Sequence, residues 1–300
     1  MRFGGHETFV IREGWFAKII HALDDCPDIF MHEFPEDYLG VGRNMAKSMR
    51  HWMVATGIAL RDGAGKNISG YSLSPFGRLI LEHDPDLLTK TVWQLIHINL
   101  VNTPEHAASW SWFFNHWTQQ KFTRNICVQS LKRHLELTSK RVPKLRTLER
   151  DIACMLASYA EPIPRVIDDP EDANECPLRE LSMMQYFKGT GTYSITRDVK
   201  DLSAPVLLYA INEAYDAEEL ETKSIDCSIQ SLERMPGGPG RCFMMSAESI
   251  FELTQLHTVK KTNPYSVINQ AGEKVISFKS RDQNYWAKKA MKLEGSNVSI

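Results

Sequence analysis

Several things are scarce in this 300-residue chain, and each scarcity excludes something. Six cysteines are scattered at 26, 127, 154, 176, 227 and 242 with no CxxC pair, so neither a zinc ribbon nor a disulfide framework is indicated. Reduced thiols in a cytoplasmic protein fit that pattern. No apolar run approaches the roughly 20 residues of a membrane helix, and "MRFGGHETFV" lacks the charged-then-apolar layout of a signal peptide. Basic charge is not in excess: 35 Lys and Arg face 37 Asp and Glu, so any nucleic-acid surface has to be local. There is no Walker A loop, no dinucleotide fingerprint, no GxSxG elbow and no convincing nuclease metal signature. No internal repeat or low-complexity tract is visible.

What remains is ordinary globular composition, 43% hydrophobic and 24% charged. One stretch concentrates its charge, "LGVGRNMAKSMRHWMVATGIAL". Arg43, Lys47 and Arg50 recur at helical spacing, with Asn44, Ser48 and His51 beside them and Met45, Met49, Trp52 and Met53 opposite. Gly57 is placed to end that helix. A helix predicted over "HETFVIREGWFAKIIHAL" and a short one at "PEDYLGVGR" precede it. Two strand-like segments flank "RDGAGKN", and "SPFGRLILEH" follows with Ser74 as its cap and Pro75 at its first position. That order is the layout of a winged helix-turn-helix. The quoted stretch serves as recognition helix, and Arg61 and Lys66 lie on the wing. Residues 41–70 hold five Lys/Arg against one acid, Asp62. Arginine, asparagine and lysine on one helix face suit base edges and phosphates. An ordinary solvated helix face is the competing reading.

Further on, Pro104 divides a Trp-rich helical run into two helices. Residues 121–150 carry nine Lys/Arg and two Glu, either a second backbone contact or a solvated helical hairpin. The tryptophans at 93, 110, 112 and 117 read as core rather than as base-stacking platforms. Leu148, Ile152, Met155, Leu156 and Tyr159 form a buried helical stripe. The Pro- and acid-rich segment 161–180 marks a boundary. The expected architecture is mainly α: a winged helix-turn-helix over 1–85, a helical domain with a basic segment over 86–165, and a small C-terminal α+β module over 175–290. That last module includes a hairpin turning at "NQAGEK" and is compatible with a second winged helix.

Chemistry is harder to read. His6 and Glu7 are an acid-base or metal pair on one reading, and a cap neighbour and first-turn acid on the other. "PGGPGR" lacks the Lys-Ser/Thr of a P-loop, and Arg241 within it is a candidate backbone contact. "ELETK" offers a weak Glu221/Lys223 pair.

The blocks "FGGHETFVIREGWFAKII", "LGVGRNMAKSMRHWMVATGIA", "LSPFGRLILEHDPDLL", "TLERDIACMLASYA", "PLRELSMM" and "PGRCFMMSAESIFEL" resemble, in order, those of the bacterial domain-of-unknown-function family 4007. Its best-described members are the SspB-type DNA nickases of the Ssp phosphorothioation system. The resemblance spans residues 3–258. It implies a DNA-binding protein of a modification and phage-defence system that nicks DNA so that sulfur can be inserted. The implied partners are double-stranded DNA, a cysteine desulfurase, an ATPase and a sulfur-transfer protein. A divalent metal, Mg or Mn, is implied if the protein nicks, with His6, Glu7 and Arg12 of the first block as catalytic candidates. Arg43, Asn44, Lys47, Ser48, Arg50, Arg61, Lys66 and Arg241 are the expected DNA contacts. A non-catalytic adaptor presenting DNA to the sulfur-transfer proteins, or a transcriptional regulator, are the alternatives.

Overall fold

The computed structural model describes residues 1–64, 67–164, 176–215, 224–258 and 263–295. The fold is mainly helical with three small sheets. The first unit runs α1 (Trp15–Asp25), α2 (Pro35–Leu39), α3 (Arg43–Ala55), β1 (Ala59–Ala64), β2 (Asn67–Leu73) and α4 (Pro75–His83). This is a winged-helix-like order. β1 and β2 pair antiparallel from Ala59↔Leu73, with a bulge between Asp62 and Gly63. The hairpin tip, including Lys66, lies outside the described residues.

Local chemistry sets these boundaries. Ser74 Oγ accepts the Gly77 amide at 2.9 Å, which caps α4 ahead of Pro75. Gly57 follows α3 at φ 73°, the left-handed conformation that glycine adopts without steric cost. Met49, Trp52 and Met53 of α3 are buried, and Met45 packs at the core's edge.

The first predicted helix starts later than its sequence suggests. Residues 4–8 form turns, with Glu7 at φ 49° and Thr8 at φ 71°, and α1 begins only at Trp15 after Gly14 at φ 74°. Tertiary hydrogen bonds outcompete helix formation here. Ser48 Oγ donates to the His6 carbonyl at 2.9 Å, Trp52 Nε1 donates to the Phe9 carbonyl at 3.1 Å, and Asp151 accepts the Gly4 amide at 2.8 Å.

The middle of the chain folds as α5 (Lys90–Val101), α6 (Ala108–His116), β3 (Lys121–Thr123), α7 (Arg124–Thr138), α8 (Leu145–Tyr159) and β4 (Ala160–Ile163). The helical run does break around Pro104, and the four tryptophans at 93, 110, 112 and 117 are all buried, as is the α8 stripe. β5 (Met184–Phe187) and β6 (Thr192–Ile195) join β3 and β4 in one sheet of order β3-β6-β5-β4. Strands from before and after the acidic 161–180 segment therefore share a sheet. Residues 165–175 of that segment lie outside the described residues.

The chain continues as α9 (Ala204–Glu213), β7 (Ser224–Ser228), α10 (Ile229–Arg234), α11 (Pro239–Cys242), α12 (Ala247–Thr258), β8 (Tyr265–Gln270), β9 (Glu273–Lys279) and α13 (Gln283–Gly295). β8 and β9 are the expected hairpin, turning at Ala271 and Gly272, with β7 on the far side of β9. Glu221 and Lys223 lie outside the described residues. α13 packs on α9, α5 and α4, so the C-terminal helix reaches back to the first unit. One hydrophobic cluster runs from Ile11 to Met291.

Candidate nucleic-acid interface

α3 turns its charge outward. Arg43, Asn44 and Lys47 are exposed and Arg50 is half-buried. Ser48 departs from expectation: it is buried, and its hydroxyl is spent on the His6 carbonyl, so it is no DNA contact as it stands. His51 is buried too. Burial, then Arg2, His6, His106 and Arg61, push its pKa down to about 3. It is therefore a neutral ring beneath a cationic surface.

That surface gathers residues from four places in the chain. Arg2 has its pKa lowered first by burial and then by the guanidinium groups of Arg61 and Arg50; Tyr71 and then Glu7 oppose them. His106, in the α5–α6 loop, is likewise depressed by burial and then by Arg61, with Arg2 and the N-terminal amine contributing, against the opposing pull of Glu105. Mutual repulsion of this kind requires the groups to be near neighbours. Like charges gathered at one place make that surface attractive to an anion. The N-terminal segment holds Arg2 there: the Ala108 amide donates to the Arg2 carbonyl at 3.4 Å.

Sequence reading found Arg50 and Arg61 but not Arg2 or His106. No spacing rule links a terminal arginine to a loop histidine about a hundred residues later. A faint signal existed in "MRFGGHETF", whose paired glycines permit close docking. A Cβ on Gly5 would collide with the His51 ring.

The N-terminal turn also contacts the second basic segment. Thr147 and Asp151 of α8 touch Gly4: a Cβ at Gly4 would sit 3.7 Å from Thr147 Cγ2, and the Gly4 amide reaches Asp151. Arg146 and Arg150 on the same helix are exposed, as are Lys140, Arg141 and Lys144 just before them. Lys132 is engaged with Glu136 at 3.5 Å. The N-terminal turn thus touches both α8, through Asp151, and α3, through Ser48.

The first-block candidates separate. His6 is 2% exposed and stacks on Trp52. Its Nδ1 accepts the Thr8 amide at 3.1 Å, so the proton sits on Nε2, which donates to Asp151 at 3.0 Å. Ser109 supplies a further donor to Asp151 at 3.1 Å. Both imidazole nitrogens are committed, and neither offers a lone pair to a metal or to water. Asp151, its partner, has no counterpart in the sequence reading. Glu7 is exposed. Arg12 is half-buried and lies over the rings of Phe9 and Trp15, with its guanidinium carbon 5.7 Å and 6.0 Å from their centroids. No ion pair joins Glu7 to Arg12 among the described residues.

"PGGPGR" is a packing turn. The Gly237 amide donates to Asn115 Oδ1 at 2.7 Å, the Gly238 amide to Met235 O at 3.1 Å, and the Arg241 amide to Gly238 O at 3.1 Å. Those N–H groups are therefore not free to cradle phosphate. Arg241 is half-buried; burial, then Arg197, lower its pKa. A cleft of about 970 Å³ lies elsewhere, lined by Lys90, Gln94, Lys200, Tyr285 and Trp286 among others, and includes none of the cationic cluster around Arg2.

No curated protein matches the chain. Two solved structures do. The magnesium ion-bound SspB crystal structure has a TM-score of 0.83 at 25% identity, covering 99% of this chain and 88% of that one. A second SspB crystal structure has a TM-score of 0.82, with the same identity and coverage. Residues 3–293 match the family described as "Protein of unknown function (DUF4007)", and the chain belongs to that family.

Proposed function

We propose that this protein binds double-stranded DNA for an Ssp-type phosphorothioation system and opens one strand there. The observation that carries the reading is the exposed basic face of α3, with Arg43, Asn44 and Lys47 outward and Arg50 half-buried at its edge; the charges of Arg50 and Arg61 acting on Arg2 support it. In it, α3 faces the major groove with Arg43, Asn44 and Lys47 toward base edges and phosphates. Arg2, Arg50 and Arg61 hold the backbone, and the α8 cations extend the track. The likeness to SspB supports the assignment to that system.

Nicking needs a group to take a proton from water and positive charge to receive the developing phosphorane. On this rim Glu7 is an exposed carboxylate close enough to Arg2 to stabilise its charge, and the arginines supply the clamp. Arg12 steadies a neighbouring phosphate. His6, with both nitrogens engaged, positions the turn that carries Glu7.

The SspB structure contains magnesium, an ion that binds through oxygen ligands. Among the described residues, the group of three possible ligands is Cys26, Asp28 and His32. A thiolate and an imidazole are poor partners for an ion that selects oxygen. That cluster therefore does not suit magnesium.

Conversion of supercoiled plasmid to open circle by the purified protein, beside a gel shift on the same DNA, tests the reading. Wild type binds and nicks, whereas Glu7→Gln binds and does not nick. Binding without nicking by wild type removes the enzyme and leaves the adaptor. Absence of binding at low salt removes both.

A further inference from the structure

Between α1 and α2 the chain makes a tight turn, "CPDIFMH". Cys26 Sγ lies 3.0 Å from Asp28 Oδ1 and 3.9 Å from His32 Nε2, and the Asp28 and His32 atoms are 3.5 Å apart. Zinc bonds of about 2.3 Å to sulfur and about 2.0–2.2 Å to nitrogen and oxygen, at tetrahedral angles, require donors about 3.4–3.6 Å apart. The three observed separations bracket that value. The donors are spaced near the edges of one tetrahedral face, and the Asp28 and His32 side chains are exposed.

The turn is held by other means. The Ile29 amide donates to Cys26 O at 3.1 Å, the Met31 amide to Asp28 O at 2.7 Å, and the Tyr71 amide of β2 to Pro27 O at 3.0 Å. Ile29 and Phe30 are buried beneath it. Cys26 differs from the other five cysteines, all of which are buried. Asp24 and Asp25, both exposed, add negative potential beside it. A reachable thiol, a carboxylate and an imidazole on a preset turn form a donor set for a borderline-soft ion.

We propose that Cys26, Asp28 and His32 bind a late transition-metal dication, zinc fitting best, with water at the fourth position. Binding replaces the thiol proton, which leaves to solvent, with a sulfur–metal bond. Because Pro27 of this turn hydrogen-bonds β2, the ion clamps the base of the wing. The assignment is independent of DNA binding and of nicking.

The test is a cobalt and zinc titration of the full, tag-free, reduced protein. The expected result is a thiolate-to-cobalt charge-transfer band that saturates at one equivalent. Zinc displaces it, and excess magnesium does not. Cys26→Ser removes the band and His32→Ala weakens binding, while both variants keep the wild-type melting curve without metal, since these side chains are partly or fully exposed. Absence of the band in wild type overturns the proposal, and so does a band that survives Cys26→Ser. Elsewhere an imidazole pair, His116 and His134, has ring centroids 4.9 Å apart. Metal binding abolished by His134→Ala but untouched by Cys26→Ser and His32→Ala also overturns it.

Discussion

His6 and Asp151 stand 145 residues apart in sequence and share a 3.0 Å hydrogen bond inside the core. The same carboxylate accepts from Gly4 and Ser109. It fastens the N-terminal turn, and with it Arg2 and Glu7, onto α8.

A latch makes a different prediction from a catalyst. Asp151→Ala strands three donors in a buried site and is expected to cost about 3–5 kcal/mol. His6→Ala leaves a cavity under Trp52 and one unmatched carboxylate lone pair, about 2–4 kcal/mol. Thermal melting followed by circular dichroism checks both. A His6→Ala protein that melts like wild type yet cannot nick returns His6 to the chemistry.

The cationic rim makes a claim about salt. Each arginine that neutralises a phosphate adds about one unit to the slope of log affinity against log salt. Arg2→Ala, Arg50→Ala and Arg61→Ala are each expected to lower affinity and to flatten that slope by about one. Ser48→Ala leaves the slope unchanged, because its hydroxyl serves the His6 carbonyl. Fluorescence anisotropy across a salt series reads all four. An Arg2→Ala protein with the wild-type slope removes Arg2 from the interface.

The helical frame was largely legible because its signals are local. The α3 stripe, the Ser74 cap, the break at Pro104 and the turn at Gly272 each lie within a few residues of their cause. The site was legible only in part. Arg43, Asn44 and Lys47 face outward as helical spacing requires, and Arg50 is half-buried at the same face. Ser48 has the same spacing but meets a carbonyl that arrives from residue 6. Arg2 and His106 join the rim through folding of distant segments, and Asp151 gives no sign in "TLERDIACMLASYA" that it faces the N-terminus. Periodicity reports which face a residue occupies and says nothing of what docks against it.

Two buried histidines set a pH dependence. Burial lowers the pKa of His51 from 6.5 to about 3 and that of His97 from 6.5 to about 4. His97 Nε2 donates to Cys242 O at 2.6 Å while Nδ1 accepts from Tyr159 at 2.9 Å, a neutral arrangement. Each ring takes a proton near pH 6.5 once unfolded but resists it when folded. Stability from these groups is therefore complete above pH 6.5 and declines as pH falls toward the folded values, by about 1.4 kcal/mol per unit for each ring. Melting temperatures over that range are expected to fall, and His51→Gln is expected to fall less steeply. Equal slopes for variant and wild type remove His51 as a cause.

The "PGGPGR" turn separates packing from phosphate binding. A Cβ at Gly240 would lie 2.6 Å from Leu232 O and would press on the backbone of Glu233. Backbone cannot swing aside as a side chain can, so α10 and α11 would have to part. Gly240→Ala is therefore expected to destabilise by about 1–3 kcal/mol. Arg241 donates its Nε to Arg234 O at 3.4 Å and is half-buried, so Arg241→Ala has little to lose in the fold. If Arg241 touches DNA, that variant loses affinity and about one unit of salt slope while its melt holds. Gly240→Ala, folded at low temperature, then binds as wild type does. A Gly240→Ala protein with the wild-type melt and weakened DNA binding would reverse the assignment and make this turn part of the phosphate track.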